Sequence, residues 1–269
     1  MTTLRIVGDS FASTELHGVG KDKVWFSQLN DMLGTKLFNN SMLGAAQDFA
    51  WHSLHDWAPF ITPDDYVVVI LTHPARFWFL EDDATMGKAD HIRELDYRYG
   101  KEIADAAEMY VRYIQRPLLD TLFLENRLGW LAYQTHFRKW RRPLIIKAFD
   151  QDITQAIEYP ELNFANGNLT EVSEKEIIGG DFNKWSKGYD IRFNHLCLSN
   201  HKILAEKIHA ALTLERSLDL TQGFKENFLD ESVFSDLEFI NKECNPDISK
   251  RRRVERAAKS LGMFNFLKQ

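Results

Sequence analysis

A serine follows a short apolar segment near the start of the chain. Residues 4–7 are mostly apolar and run into Gly8, Asp9 and Ser10, a pattern that predicts a buried strand ending in a tight turn. Ligands bind at the carboxyl ends of strands in open parallel sheets, so Ser10 is a candidate nucleophile. A serine hydroxyl needs an adjacent base to take its proton. By themselves these three residues favour a helix N-cap, with Asp9 or Ser10 as the cap.

Two further segments carry residue types that would complete such a site. Residues 39–44 follow a second brief apolar segment and end in Gly44, which would let a backbone N–H closely approach a reacting oxygen. Donors of this kind stabilise a tetrahedral oxyanion. Near the other end of the chain, His195 precedes a long amphipathic helix and is a candidate general base.

These segments resemble the sequence blocks of the SGNH (GDSL-like) hydrolase superfamily. The family's first block, an apolar strand followed by Gly-Asp-Ser, is matched by residues 6–11. Its second block, Asn-x-(Gly/Ser)-x-x-Gly, is matched by Asn39, Ser41 and Gly44. The order and separation of the blocks make the resemblance fairly specific.

The family's last block is an Asp-x-x-His loop, followed six residues later by a Gly-His pair and then by an apolar helix that begins with Leu-Ala. His195, His201 and the pair at 204–205 match that spacing. We interpret His201 as a structural helix residue rather than a catalyst. The resemblance covers roughly residues 1–80 and 143–214.

The chain departs from the family pattern at two positions. The third block of the family supplies an oxyanion-binding Asn after the third strand, whereas here that strand is followed by Thr72, His73 and, slightly later, Arg76. One of these three must substitute for the Asn, or that donor is missing. The residue three before His195 is an arginine instead of the usual Asp, and the nearest upstream acid is Asp190. His195 is then oriented by Asp190, or the site is a Ser–His dyad.

The resemblance implies a serine esterase acting on a small-molecule or carbohydrate ester, for which an O-acetyl group on a sugar is our candidate. Ser10 would be the nucleophile, His195 the base and Asp190 its orienting acid. Backbone N–H groups of Ser10 and Gly44 would bind the oxyanion, and neither a metal nor an organic cofactor is implied. The alternative is a catalytically inactive SGNH-like structural or binding module, for instance one associated with a phage. A third class, nucleotide- or phosphate-binding proteins, would need a Gly-rich phosphate loop, which we do not find.

The remaining pattern predicts the elements that position these residues. Alternating strands and helices indicate a three-layer α/β/α, flavodoxin-like SGNH fold with a parallel sheet. We predict residues 1–214 as the hydrolase domain, with a helical insertion at about 84–142, and 215–269 as a helical C-terminal extension. Within the domain we predict strands at 4–7, 36–39, 66–71 and 143–149, helices at 24–33, 45–57 and 199–214, and a loop region at 150–190. The strand at 66–71 is apolar throughout, as expected of a central strand covered on both faces.

The composition indicates which cellular compartment and which classes of partner fit this chain. A net charge of −6 argues against a general nucleic-acid binder, and we interpret the basic run at 250–253 as a solvated helix face. Two cysteines favour a reducing compartment over a disulfide scaffold. Residues 1–8 do not resemble a secretory signal, and no apolar run is long enough to span a bilayer. We expect a cytoplasmic protein, with a virion component as the alternative; the oligomeric state is left open.

Aromatic and histidine residues invite two further interpretations. Aromatics make up 13% of the chain, and we interpret them as core packing, with an aromatic wall that stacks on sugars as the alternative. The aromatics in question are Trp51, Trp57, Phe77, Trp78, Phe79, Trp130 and Trp140. His52 and His55 share a helix face, but we find no third ligand of suitable spacing and predict no metal site.

Overall fold

The computed structural model describes residues 1–13, 22–42, 45–72, 101–102, 105, 109, 116–149, 159–172, 196 and 198–225. Its centre is a five-stranded parallel sheet with the strand order β2-β1-β3-β4-β5. The strands are β1 (Thr3–Gly8), β2 (Lys36–Ser41), β3 (Tyr66–Leu71), β4 (Leu144–Lys147) and β5 (Asn163–Asn168). This is the flavodoxin-like order, in which β2 is added on one side of β1 and the later strands on the other, so that the strand order reverses at the β1/β3 pair.

Helices cover both faces of the sheet. They are α1 (Trp25–Leu33), α2 (Gln47–Trp57), α3 (Arg116–Arg138) and α4 (Leu198–Thr213), with a 3₁₀ turn at Ala58–Phe60. One core contains α1, α4 and the side chains of Val68 and Ile70, while the other contains α2, α3 and the side chains of Val67 and Val69. Successive residues of β3 are therefore buried on opposite faces, as predicted for a central strand. The predicted three-layer α/β arrangement is confirmed.

The loop predicted at 150–190 contains a fifth strand, so that part of the prediction is wrong. β5 has the sequence Asn-Phe-Ala-Asn-Gly-Asn, which lacks both an apolar run and apolar alternation. It nevertheless pairs with β4: Leu144 is in register with Asn163 and Lys147 with Asn168, and the register shifts between Ile145 and Lys147. Backbone hydrogen bonds, which the side-chain pattern does not reveal, define this strand.

The chain between β3 and β4 contains the long helix α3, which lies within the predicted insertion at 84–142. Its 23 residues bury Leu128, Leu131 and Ala132 against the α2 face of the sheet. This helix is thus part of the α/β core itself. The other helices predicted for the insertion fall mostly on residues outside the described ranges.

The first part of the predicted C-terminal helical extension is not helical. Residues 215–225 run along the outer side of β5, where Asp219 forms a bridge with Asn166. Leu218 and Leu220 are buried in the α1/α4 core. This segment therefore completes the sheet domain, and 226–269, including the basic run at 250–253, lie outside the described residues. None of the helices in the described ranges is both long and apolar enough to cross a membrane.

Candidate functional site

Ser10 lies in a tight turn at the carboxyl end of β1, as predicted. The backbone N–H of Ala12 donates to the carbonyl of Asp9 at 3.1 Å, which closes the turn around Ser10. The Asp9 carboxylate accepts the N–H of Phe11 at 3.1 Å, so its side chain supports the same turn. Ser10 is only 2% exposed.

Gly8 is required by the close approach of β1 to β3. A Cβ atom at Gly8 would lie 2.7 Å from the Cβ of Ile70, a distance that side chains do not tolerate. The last residue of β1 can therefore only be glycine without a shift in the sheet. This explains the glycine of the Gly-Asp-Ser sequence by packing alone.

Asn39 connects the Ser10 turn to the second sequence block. Its side-chain amide donates to the carbonyl of Ala12 at 2.6 Å, and its Oδ1 accepts the N–H of Ser41 at 3.0 Å. A backbone bond from Met42 to the carbonyl of Gly8, at 3.3 Å, adds a second link. The ends of β1 and β2 are thereby held together, although Gly44 itself lies outside the described residues.

Trp25 connects the Ser10 turn to the last sequence block. Its indole Nε1–H donates to the carbonyl of Phe11 at 2.7 Å, and its backbone N–H donates to Nδ1 of His201 at 3.2 Å. The residue before α1, Val24, offers no side-chain cap, so His201 satisfies a helix N-terminal N–H from α4. Because Nδ1 accepts, we assign the ring proton of His201 to Nε2. His201 is 2% exposed and acts structurally, as interpreted from the sequence.

Thr72 lies at the carboxyl end of β3, which neighbours β1. Its side chain is buried, and its carbonyl accepts a hydrogen bond from the amide of Gln47 at 3.0 Å. Gln47 is the first residue of α2, so this bond fixes the start of α2 against the end of β3. His73 and Arg76, the other two candidate donors, lie outside the described residues.

The described residues of the candidate site therefore lie at the point where the strand order reverses. β1 and β3 are parallel and paired, with Val7 in register with Val69, so Ser10 and Thr72 follow them at the same edge. This edge is where open α/β sheets bind ligands. Of the proposed catalytic partners, His195 and Asp190 lie outside the described residues.

Two residues of this edge, Trp25 and Gln47, were not singled out from the sequence. The N–H of a buried tryptophan usually has a hydrogen-bond partner, which is the signal that Trp25 carries in the sequence. Nothing in the sequence distinguishes Gln47 from a solvent-facing residue at a helix start. Their roles depend on which backbone carbonyl each side chain meets.

The two histidines of α2 lie away from this edge. His52 approaches Asp56 at 3.5 Å, and the ring of His55 stacks on Trp130 with a centroid separation of 4.4 Å. Within the described ranges, no three or more His, Cys, Asp or Glu side chains are grouped so that they could hold a metal ion.

A scan against protein-family models finds no match to this chain, and a search of curated proteins finds no similar sequence.

Proposed function

We propose that the chain is a serine esterase of the SGNH type with Ser10 as its nucleophile. One observation carries the proposal: three sequence blocks far apart in the chain are joined by hydrogen bonds. The Ser10 turn binds Asn39 of the second block directly, and it binds His201 of the last block through Trp25. These are the blocks on which the resemblance rests.

In the proposed reaction, Ser10 Oγ attacks the ester carbonyl carbon while His195 takes its proton. The tetrahedral intermediate collapses, the C–O bond to the alcohol breaks, and His195 protonates the leaving alkoxide. Water then attacks the acyl-enzyme with His195 as base, releasing the acid and restoring Ser10. Asp190 would accept the Nδ1–H of His195 and so hold Nε2 towards Ser10.

Oxyanion stabilisation is assigned to the backbone N–H groups of Ser10 and Gly44 and to one of Thr72, His73 and Arg76. The position of Thr72 supports this role for it, because Thr72 follows β3, which is paired with the strand that carries Ser10. Neither a metal nor an organic cofactor enters the proposed reaction. The proposed substrate is an ester, with an O-acetyl group on a carbohydrate as the candidate, and the proposed location is the cytoplasm.

The test is active-site labelling with a fluorophosphonate probe on the folded chain, read by intact mass and peptide mapping. We expect one adduct, on Ser10, together with hydrolysis of p-nitrophenyl acetate. Ser10→Ala should lose both while keeping its stability, because a turn hydroxyl contributes little packing. Ser13→Ala is the matched control, since Ser13 is buried three residues away and should still permit labelling.

The rival function is a catalytically inactive SGNH-like structural or binding module. Two observations favour it: Ser10 has almost no exposed surface, and β3 is followed by Thr72 where the family has Asn. A folded protein that neither labels at Ser10 nor hydrolyses short esters would establish this rival and refute the esterase.

A further inference from the structure

A groove of about 630 Å³ lies between α2 and α3, on the face of the sheet that α1 and α4 do not cover. None of its lining residues belongs to the three sequence blocks described above. The lining combines three large aromatic side chains with five polar ones: Asp48, Trp51, His52, His55, Phe123, Asn126, Arg127 and Trp130.

The aromatic side chains of the groove are only partly used in packing. Trp51 is buried, and its indole Nε1 is buried without a hydrogen-bond partner among the described residues. Trp130 is half-buried and stacks one side of its ring on His55, at an interplanar angle of 13°. Phe123 is 48% exposed. Phe123 and the exposed part of Trp130 therefore offer apolar ring surface to a ligand, whereas Trp51 forms the floor of the groove.

The polar side chains of the groove balance each other in charge. Asp48 and Arg127 form an ion pair across it, and each stays partly exposed, at 43% and 28% of the side chain. The guanidinium also lies 5.9 Å from the ring centroid of Phe123. The groove thus offers hydrogen-bond acceptors and donors without a net charge: the carboxylate of Asp48 accepts, the guanidinium of Arg127 donates, and the amide of Asn126 does both.

Apolar ring faces beside paired donors and acceptors are the chemistry that recognises a neutral sugar. The C–H face of a pyranose covers an aromatic ring, while its hydroxyls both donate and accept hydrogen bonds. An anionic ligand would be repelled by the Asp48 carboxylate. A purely apolar ligand would remove water from the Asp48–Arg127 ion pair without replacing its hydrogen bonds, which is unfavourable. The lining therefore favours a neutral saccharide over both.

The groove also has a defined relation to the candidate site. Asp48 directly follows Gln47, whose amide binds the carbonyl of Thr72 at the carboxyl edge of the sheet. One end of the groove thus begins at the edge that carries Ser10, and the other runs down α2 towards His55. We infer that the groove binds a neutral oligosaccharide chain, whose ester group would reach Ser10. The link to Ser10 rests on the proposed esterase function, whereas binding in the groove does not.

The experiment is isothermal titration calorimetry of the full chain with xylohexaose, cellohexaose and the hexamer of N-acetylglucosamine. We expect at least one to bind with saturation. Phe123→Ala and Trp130→Ala should each weaken that binding about tenfold, which corresponds to ~1.4 kcal/mol for one lost ring face. Phe137→Ala is the control, because Phe137 is 66% exposed on the same helix but does not line the groove.

The outcomes separate this inference from the proposed function. If no hexasaccharide binds, or if Phe137→Ala weakens binding as much as Phe123→Ala, the groove inference is overturned even where p-nitrophenyl acetate is hydrolysed. If a hexasaccharide binds through Phe123 but Ser10 is not labelled by the fluorophosphonate and esters are not hydrolysed, the groove inference is supported and the esterase proposal is refuted. Since Phe123 is half-exposed, its variant should keep the wild-type Tm, which guards against loss of binding by misfolding.

Discussion

Nδ1 of His201 accepts the backbone N–H of Trp25 at 3.2 Å, although the two residues are 176 positions apart in the chain. The same tryptophan donates its indole N–H to the carbonyl of Phe11, which follows the proposed nucleophile. The helix that follows the proposed base is thereby anchored to the turn that carries Ser10. Loss of either bond should therefore displace the Ser10 turn as well as destabilise the fold.

Trp25→Phe should impair both stability and catalysis. The substitution leaves the Phe11 carbonyl without its indole donor, and we expect a loss of about 1–3 kcal/mol in the free energy of unfolding. Displacement of the Ser10 turn should lower turnover about ten- to a hundredfold. Trp140→Phe is the control. It removes an equivalent bond, from the indole N–H of Trp140 to the carbonyl of Ile61 at 3.0 Å, and both residues lie at the opposite, amino edge of the sheet. Equal turnover in the two variants, measured beside urea unfolding, would contradict a positioning role for Trp25.

Asn39→Asp should loosen the Ser10 turn from β2. The carboxylate still accepts the N–H of Ser41, but it cannot donate to the carbonyl of Ala12 and repels it instead. We expect turnover to fall with p-nitrophenyl acetate and stability to fall by about 1–3 kcal/mol. Asn40→Asp is the matched control, since Asn40 is exposed and donates to Ser53 of α2 instead of to the Ser10 turn. A turnover unchanged in Asn39→Asp would show that this bond does not position Ser10.

One of Thr72, His73 and Arg76 should replace the oxyanion donor that the family takes from Asn. Thr72→Val keeps the side-chain shape and removes the hydroxyl, while His73 and Arg76 are changed to alanine. Loss of one oxyanion donor typically lowers turnover about a hundred- to a thousandfold. Steady-state kinetics should show this loss in kcat for one of the three. Rates within a few-fold of wild type in all three variants would rule out the substitution hypothesis.

Asp190→Asn should lower turnover by orders of magnitude if Asp190 orients His195. An amide in place of the carboxylate can present its NH₂ group to Nδ1 and favour the wrong tautomer, as in other triads. Arg192 cannot take this role, since a guanidinium has no acceptor. The kinetic comparison of Asp190→Asn with Arg192→Ala therefore tests the role of Asp190: turnover that barely changes in Asp190→Asn means that the site is a dyad or uses a different acid.

Asp65→Asn should destabilise the amino edge of the sheet in a pH-dependent way. Burial by itself would raise the pKa of Asp65, but hydrogen bonds from Thr3 and Thr62 and the charge of Arg5 outweigh burial and lower it. The folded state thus prefers the carboxylate, and this stabilisation is complete above the ordinary pKa of about 3.9. It is lost as the pH falls through the lowered pKa of the folded state.

Urea unfolding at several pH values checks that prediction. At pH 7 the variant should lose about 1–3 kcal/mol, because the N–H groups of Thr3 and Thr62 lose a charged acceptor. The difference from wild type should shrink as the pH falls below about 4. Asp64→Asn is the control, since Asp64 is exposed beside it and should show neither effect. A difference that stays constant down to pH 2 would contradict the linkage.

Periodicity alone predicted most of the sheet and its helices. The apolar run at 66–71 corresponds to β3 residue for residue, and the helix predicted at 24–33 is α1 with Val24 as its N-cap. These elements are visible in the sequence because their burial is encoded by their own side chains. The apolar segment followed by Gly-Asp-Ser also predicted the tight turn after β1, where a Cβ on Gly8 would lie 2.7 Å from the Cβ of Ile70 in β3.

Only the tertiary structure decided the elements and contacts whose stability comes from distant partners. β5 is polar in sequence and becomes a strand because β4 offers it a ladder of backbone hydrogen bonds. Residues 215–225 lie along β5 because Leu218 and Leu220 are buried in the α1/α4 core and Asp219 forms a bridge with Asn166. Likewise, Trp25, Gln47 and His201 gain their roles from carbonyl and amide groups that only the fold brings within 3.2 Å. A sequence pattern reports which face of an element is buried, whereas these contacts depend on which other element it is buried against.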